Sequence, residues 1–203
     1  MSLTPREPLV LASGSATRAR LLADAGLPIL VDPAAVDEEE IRASFQAEGR
    51  DASACAAALA EAKAKRVSQR HSGALVLGAD QILECGGRWL EKPHDIEAAR
   101  AQLTQLRGKR HTLITAAAVV RNGALLWHTV DRAQLTTRVF SDEFLDGYVA
   151  AGGEGLLASV GAYQIEGLGA QLFERVEGDF FTILGLPLLP LLDFLRGHGA
   201  LGA

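Results

Sequence analysis

Only two cysteines occur in the 203 residues, Cys55 and Cys85, and they form neither a disulfide framework nor a metal-ligand spacing. Free thiols in a reducing cytoplasm are the expectation. The five histidines, His71, His94, His111, His128 and His198, show no His-x-x-x-His or related spacing, which speaks against a zinc site. A Gly-x-Ser-x-Gly elbow for acyl transfer is missing, as are the Walker phosphate loop and the Gly-x-Gly-x-x-Gly fingerprint. Met1 to Pro8 lacks the charged start and apolar run of a signal peptide. The longest apolar stretch near the C-terminus, Ile183 to Leu192, is interrupted by Gly185, Pro187 and Pro190 and is too short to span a bilayer. A broad basic face is lacking too. The net charge of −5 argues against a nucleic-acid polymer as partner, but a few converging Lys and Arg residues can still gather a small anion.

What is present reads as one domain, residues 1–203, of mixed α/β type. Leu9 to Ala12 suits a strand, and Ser13-Gly14-Ser15 a turn into a helix from Ala16 to Ala25. Gly26 closes that helix, and Leu21, Leu22 and Ala25 share one of its faces. A second strand is expected over Pro28 to Val31, then the acidic segment Asp37 to Glu40 and an Ala-rich helix over Asp51 to Arg70. The apolar run Ala74 to Gly78 reads as a buried strand that delivers Asp80 just past its end. Hairpins are expected at Cys85-Gly86-Gly87 and at Asn122-Gly123. Asp95 and Ser141 cap further helices. Leu172 to Val176 and Phe180 to Leu184 read as the last strands, and Leu186 to Arg196 as a closing helix.

The chemistry-bearing residues have two readings each. Ser13-Gly14-Ser15 between strand and helix can hold a phosphate through hydroxyls and unpaired N–H groups, with Arg18 one turn further on; it equally makes an ordinary helix cap. Asp80 at a strand end is either catalytic or a cap. Lys63 and Lys92 read by default as solvated cations, and Trp89 and Trp127 as core residues rather than base-stacking platforms.

In order along the chain, these pieces resemble the Maf family of nucleoside triphosphate pyrophosphatases. The resemblance runs from Leu9 to Arg196. It is carried by Leu11 to Ser15 with Arg18, Lys63, Gly78-Ala79-Asp80, Glu91-Lys92-Pro93 and Leu106 to His111. Gly161-Ala162-Tyr163, Glu166 to Ala170 and Gly185 to Leu188 complete it. It implies a mixed sheet flanked by helices in two lobes with a central cleft, similar to inosine triphosphate pyrophosphatase-like folds. The implied activity is hydrolysis of a nucleoside triphosphate to the monophosphate and pyrophosphate, helped by Mg2+ or Mn2+. Asp80 matches the family's proton acceptor. Ser13, Arg18, Lys63 and Lys92 match its phosphate-binding positions, and Glu38 an acidic position near the metal, which Asp80 shares. A homodimer is an expectation from related folds.

Departures bear on the substrate. Ala16-Thr17-Arg18 stands where the family usually has Pro-Arg-Arg, and Ala158-Ser159-Val160 where many members have Asp-Lys-Ala, so two cations are missing. At three specificity positions the chain has Thr17, Gln81 and Glu166. Gln81 and Glu166 resemble the branch associated with 7-methyl-GTP rather than the one acting on dTTP and UTP, although that branch commonly has Trp in place of Thr17. A carboxylate at Glu166 suits the paired N–H groups of a guanine edge. A dTTP/UTP pyrophosphatase, a non-catalytic regulator of cell division that binds nucleotide, and a Rossmann-like domain holding another anion are the competing readings.

Overall fold

The structure, a computed structural model, describes residues 8–202. The reading of Met1 to Pro8 as lacking a secretory start falls, Pro8 apart, outside the described residues. Among those described, no helix is long and apolar enough to cross a membrane. The strand order is β2-β1-β3-β5-β6-β7, from β1 Leu9–Leu11, β2 Ile29–Val31, β3 Val76–Cys85, β5 Arg110–Arg121, β6 Ala124–Thr137 and β7 Phe173–Glu177. A further strand, β4 Arg88–Leu90, pairs with β3. β1 runs parallel to β2 and β3, whereas β3–β4 and β6–β7 are antiparallel, so the sheet is mixed as expected. The chain divides into two compact units. Unit 1 takes in the chain through Asp80, Thr115–Asp131 and the stretch from Leu184 onward; unit 2 takes in Gln81–Ile114 and Arg132–Ile183.

Unit 1 carries α1 Ala16–Asp24, α2 Glu38–Ala47, α3 Ala52–Ser68 and the closing helix, α7 Leu188–Gly197. Leu21 and Leu22 bury one face of α1, but Ala25 caps the helix and is exposed, so the expected three-residue face shortens to two. The acidic segment is a helix start that the sequence reading passed over. The Asp37 side chain accepts from Glu40 N–H at 3.0 Å, and Glu38, Glu39 and Glu40 meet the positive end of the α2 dipole. Along α3 the residues Cys55, Ala56, Leu59, Ala60, Lys63, Ala64 and Val67 are buried. Small side chains at Ala60 and Ala64 let β3 approach at Gly78, where a Cβ would lie 2.0 Å from the Ala60 carbonyl oxygen. At Asn122-Gly123 both φ angles are positive, 50° and 79°, as a two-residue hairpin turn demands.

Unit 2 packs α4 Ile96–Leu106 and α5 Asp142–Gly152 into a core with Leu83, Leu113, Leu135, Leu145 and Leu172. Asp95 and Ser141 cap these helices, their side chains accepting from Ala98 N–H at 2.7 Å and Phe144 N–H at 3.1 Å. Two expectations fail. Asp80 lies in the middle of β3, which continues unbroken to Cys85, because its charge is met by cations rather than by water at a strand end. Phe180 to Leu184, read as a strand, contains α6 Phe180–Ile183 instead: the Asp179 side chain accepts from Thr182 N–H at 2.9 Å and starts a helical turn. Cys55 and Cys85 are both free, as expected, and both are buried. Trp89 and Trp127 are half-buried, and Trp127 stacks on Phe194 with ring centroids 5.3 Å apart.

Candidate active site

Asp80 and Lys63 meet because Gly78, two residues before Asp80 on the same face of β3, is in contact with the turn of α3 that carries Lys63. Lys63 Nζ donates to Asp80 Oδ1 at 2.6 Å, with side chains 9% and 5% exposed. So little exposure makes this a desolvated pair, in which removing either partner strands a buried charge. The same ammonium lies 2.8 Å from Glu38 Oε1, at the start of α2.

Arg42, four residues along α2 from Glu38, completes the group. Its Nη2 reaches Glu38 Oε2 at 3.2 Å and Asp80 Oδ2 at 3.4 Å. Burial works against the Glu38 carboxylate, but Lys63, then Arg42 and Arg18, outweigh it and hold its pKa below the ordinary value. Burial chiefly, with the nearby Asp80 charge, pushes the Cys55 thiol up to about 11, so it stays protonated at neutral pH.

The N-terminal loop serves both as cap and as anchor. Ser15 is the N-cap of α1, its Oγ accepting from Arg18 N–H at 3.4 Å. Ser13 Oγ accepts from Ser15 N–H at 3.3 Å and from Arg18 Nη1 at 3.0 Å, which leaves its own proton as the bond still to be given. Arg18 also donates from Nη1 to the Ala79 carbonyl at 2.9 Å and from Nε to the Gly185 carbonyl at 2.7 Å. Its fork thus ties the loop to the residue preceding Asp80 and to the Gly185-Leu186-Pro187 segment. Nε and Nη1 are committed to protein acceptors, so any phosphate contact of Arg18 falls to Nη2.

Unit 1 therefore brings together Ser13, Arg18, Glu38, Lys63 and Asp80, and adds Arg42, which the sequence reading missed. A signal existed: Asp37 as N-cap, an acidic first turn, and Glu38 and Arg42 spaced i,i+4. Thr17, half-buried, is on the first turn of α1. Gln81, Lys92 and Glu166 belong to unit 2. Lys92 is exposed after β4, and Glu166 is exposed in a turn. Gln81 donates from Nε2 to the carbonyls of Thr182 at 3.0 Å and Ile183 at 3.2 Å, which fixes the orientation of its amide.

Among the described residues no group of three or more His, Cys, Asp and Glu side chains gathers into a metal cage. Glu38 and Asp80 nonetheless converge on one cation, the Lys63 ammonium. Two hard oxygen donors are what Mg2+ or Mn2+ takes from protein when substrate phosphates supply further ligands, so the pair fits such an ion.

A family model described as Maf-like protein matches residues 8–198. The chain is similar to the nucleoside triphosphate pyrophosphatase of Paramagnetospirillum magneticum, 58% identical over 192 residues that cover 95% of this chain and 99% of that protein. It is also similar to the 7-methyl-GTP pyrophosphatase of Mesorhizobium japonicum, 50% identical over 195 residues covering 96% and 98% of the two chains. A solved dITP/XTP pyrophosphatase from Mycobacterium abscessus overlaps with a TM-score of 0.46 and 15% identity over 95% of each chain, a likeness too slight to carry an argument. With these motifs in order and a match across almost its whole length, the chain belongs to the Maf family.

Proposed function

We propose that this protein hydrolyses a nucleoside triphosphate to the monophosphate and pyrophosphate, with Asp80 as the proton acceptor. The observation that carries the reading is the charge arrangement in unit 1. Lys63, Arg42 and Arg18 set three cations against the two carboxylates Glu38 and Asp80, a positive excess among the buried and half-buried groups, while Asp37, Glu39 and Glu40 are exposed to solvent. Such an excess suits a polyanion, and a carboxylate held among the cations suits deprotonation of a water.

Hydrolysis needs the negative charge on the leaving pyrophosphate to be offset, because it repels the incoming water and resists bond cleavage. Lys63 meets phosphate oxygens, as does Lys92, whose part rests on the family resemblance. Ser13 donates its remaining proton to a phosphate oxygen, and Arg18 contributes through Nη2. Asp80 takes the proton of the water directed at the α-phosphorus. Glu38 and Asp80 would hold a divalent cation, which when bound neutralises charge on the phosphate oxygens.

The favoured base is guanine or 7-methylguanine. Gln81 donates from Nε2 to two carbonyls, its amide oxygen is an acceptor, and the Glu166 carboxylate is an acceptor too. A guanine edge offers N–H groups to both. Thr17 supplies no ring to stack on a methylated, positively charged base, so the reading extends to GTP as well as 7-methyl-GTP. The similar M. japonicum protein carries the 7-methyl-GTP name.

The test is a pyrophosphate-release screen with 7-methyl-GTP, GTP, dTTP, UTP and CTP in the presence of Mg2+. The two guanine substrates should turn over fastest, and Asp80→Asn should lose on the order of a hundredfold or more in kcat. Faster turnover of dTTP or UTP rejects the base assignment. Near-wild-type activity in Asp80→Asn rejects its role, and no release from any triphosphate would point to a nucleotide-binding regulator.

A further inference from the structure

Every carboxylate oxygen of the Glu38–Asp80 pair already faces a cation. Lys63 Nζ takes Glu38 Oε1 and Asp80 Oδ1, at 2.8 Å and 2.6 Å, while Arg42 Nη2 takes Glu38 Oε2 and Asp80 Oδ2, at 3.2 Å and 3.4 Å. The four side chains form a closed ring of alternating charge. Asp80 and Lys63 are nearly dry and Arg42 is only 19% exposed, so solvent screens these contacts weakly. A divalent ion that approaches the same oxygens is repelled by the cations already on them, and binds well only when they are drawn away. Phosphate oxygens are the groups that can draw Lys63 and Arg42 away, a guanidinium being well matched to them.

We propose that Arg42 is a positioning residue that, with Lys63, keeps the Glu38–Asp80 pair closed to divalent cations until a triphosphate arrives, so that metal and nucleotide bind as a coupled pair. The inference rests on the pyrophosphatase reading above and extends it. Arg42 acts through the two carboxylates, holding them together beforehand and releasing them on exchange for phosphate. Coupling of this kind is reciprocal: whatever the nucleotide adds to metal affinity, the metal adds to nucleotide affinity.

The test titrates the full-length protein with Mn2+ alone, following free Mn2+ by electron paramagnetic resonance, then repeats the titration with saturating α,β-methylene GTP. Wild type should bind Mn2+ weakly alone and at least about tenfold more tightly with the analogue. Arg42→Met uncovers one oxygen on each carboxylate, so its affinity for Mn2+ alone should rise about tenfold and the gain from the analogue should shrink. Arg42→Lys can again place one ammonium between the carboxylates, as Lys63 does, and should return toward wild type. A merely structural arginine would leave Mn2+ affinity unchanged or lower it on removal, and either result with Arg42→Met overturns the proposal. Equally tight Mn2+ binding by wild type with and without the analogue overturns it too. Should Arg42→Met fail to melt cooperatively, Arg42→Gln carries the same comparison. The pyrophosphatase reading fails separately, through absence of pyrophosphate release, because the Mn2+ titration needs no turnover.

Discussion

Folding takes His111 out of water. Its Nε2 lies 2.9 Å from the Tyr163 hydroxyl, its Nδ1 has no hydrogen-bond partner among the described residues, and burial pulls the imidazole from 6.5 down to about 4. Between those values the unfolded chain binds a proton that the folded chain refuses. Stability is therefore complete above about pH 6.5 and falls as pH drops toward 4, by an amount on the order of 3 kcal/mol from this residue. Melting temperatures recorded from pH 7 to pH 4.5 should decline more steeply for wild type than for His111→Gln, which removes the titration; parallel declines would clear His111. In the sequence, His111 and Gly161-Ala162-Tyr163 read as separate motifs, and only the fold shows that one supplies the other's partner. Arg42 escaped notice for a related reason. The i,i+4 spacing from Glu38 marks Arg42 as a helix-face partner, but not as the arginine whose second carboxylate, Asp80, lies 38 residues further on.

At the scale of elements, Gly78 holds the site together. A methyl there would lie 2.0 Å from the Ala60 carbonyl oxygen and 2.8 Å from the Ala64 nitrogen, both backbone atoms of α3 that cannot rotate away. Gly78→Ala should push α3 from β3, costing about 3 kcal/mol by overpacking and lowering the melting point by roughly 6–12 °C. Pyrophosphate release per folded molecule should drop as well, since Lys63 moves with the helix; an unshifted melting curve would show that the contact is slack. Most elements were legible, because their caps and turns are local: Asp51, Asp95 and Ser141 start helices, and Asn122-Gly123 turns a hairpin. The failures came where a tertiary partner or a competing cap decided the outcome. Asp80 looked like a strand end until Lys63 and Arg42 supplied its counter-charges inside β3. Phe180 to Leu184 carries strand-prone residues, yet the Asp179 cap outweighs their propensity.

For the molecule as a whole, net charge bears on the proposed substrate. A protein of charge −5 repels a bare triphosphate at long range, while a metal-complexed one carries less charge to repel. Chelation with EDTA should abolish pyrophosphate release, and excess Mg2+ or Mn2+ should restore it. Unchanged turnover in EDTA would take the metal role away from Glu38 and Asp80. The two ends of the strand order have a different consequence. β2 is three residues long, and Leu30 and Val31 within it are 47% and 45% exposed; β7 presents Glu174 and Arg175 to solvent. An outermost strand is a template on which a foreign strand can add. Here one end offers too little length for pairing to take hold, and the other offers charges that an arriving strand would have to desolvate. Both ends thereby resist the addition of a foreign strand, although each exposes apolar side chains, Leu30 and Val31 on β2 and Val176 on β7.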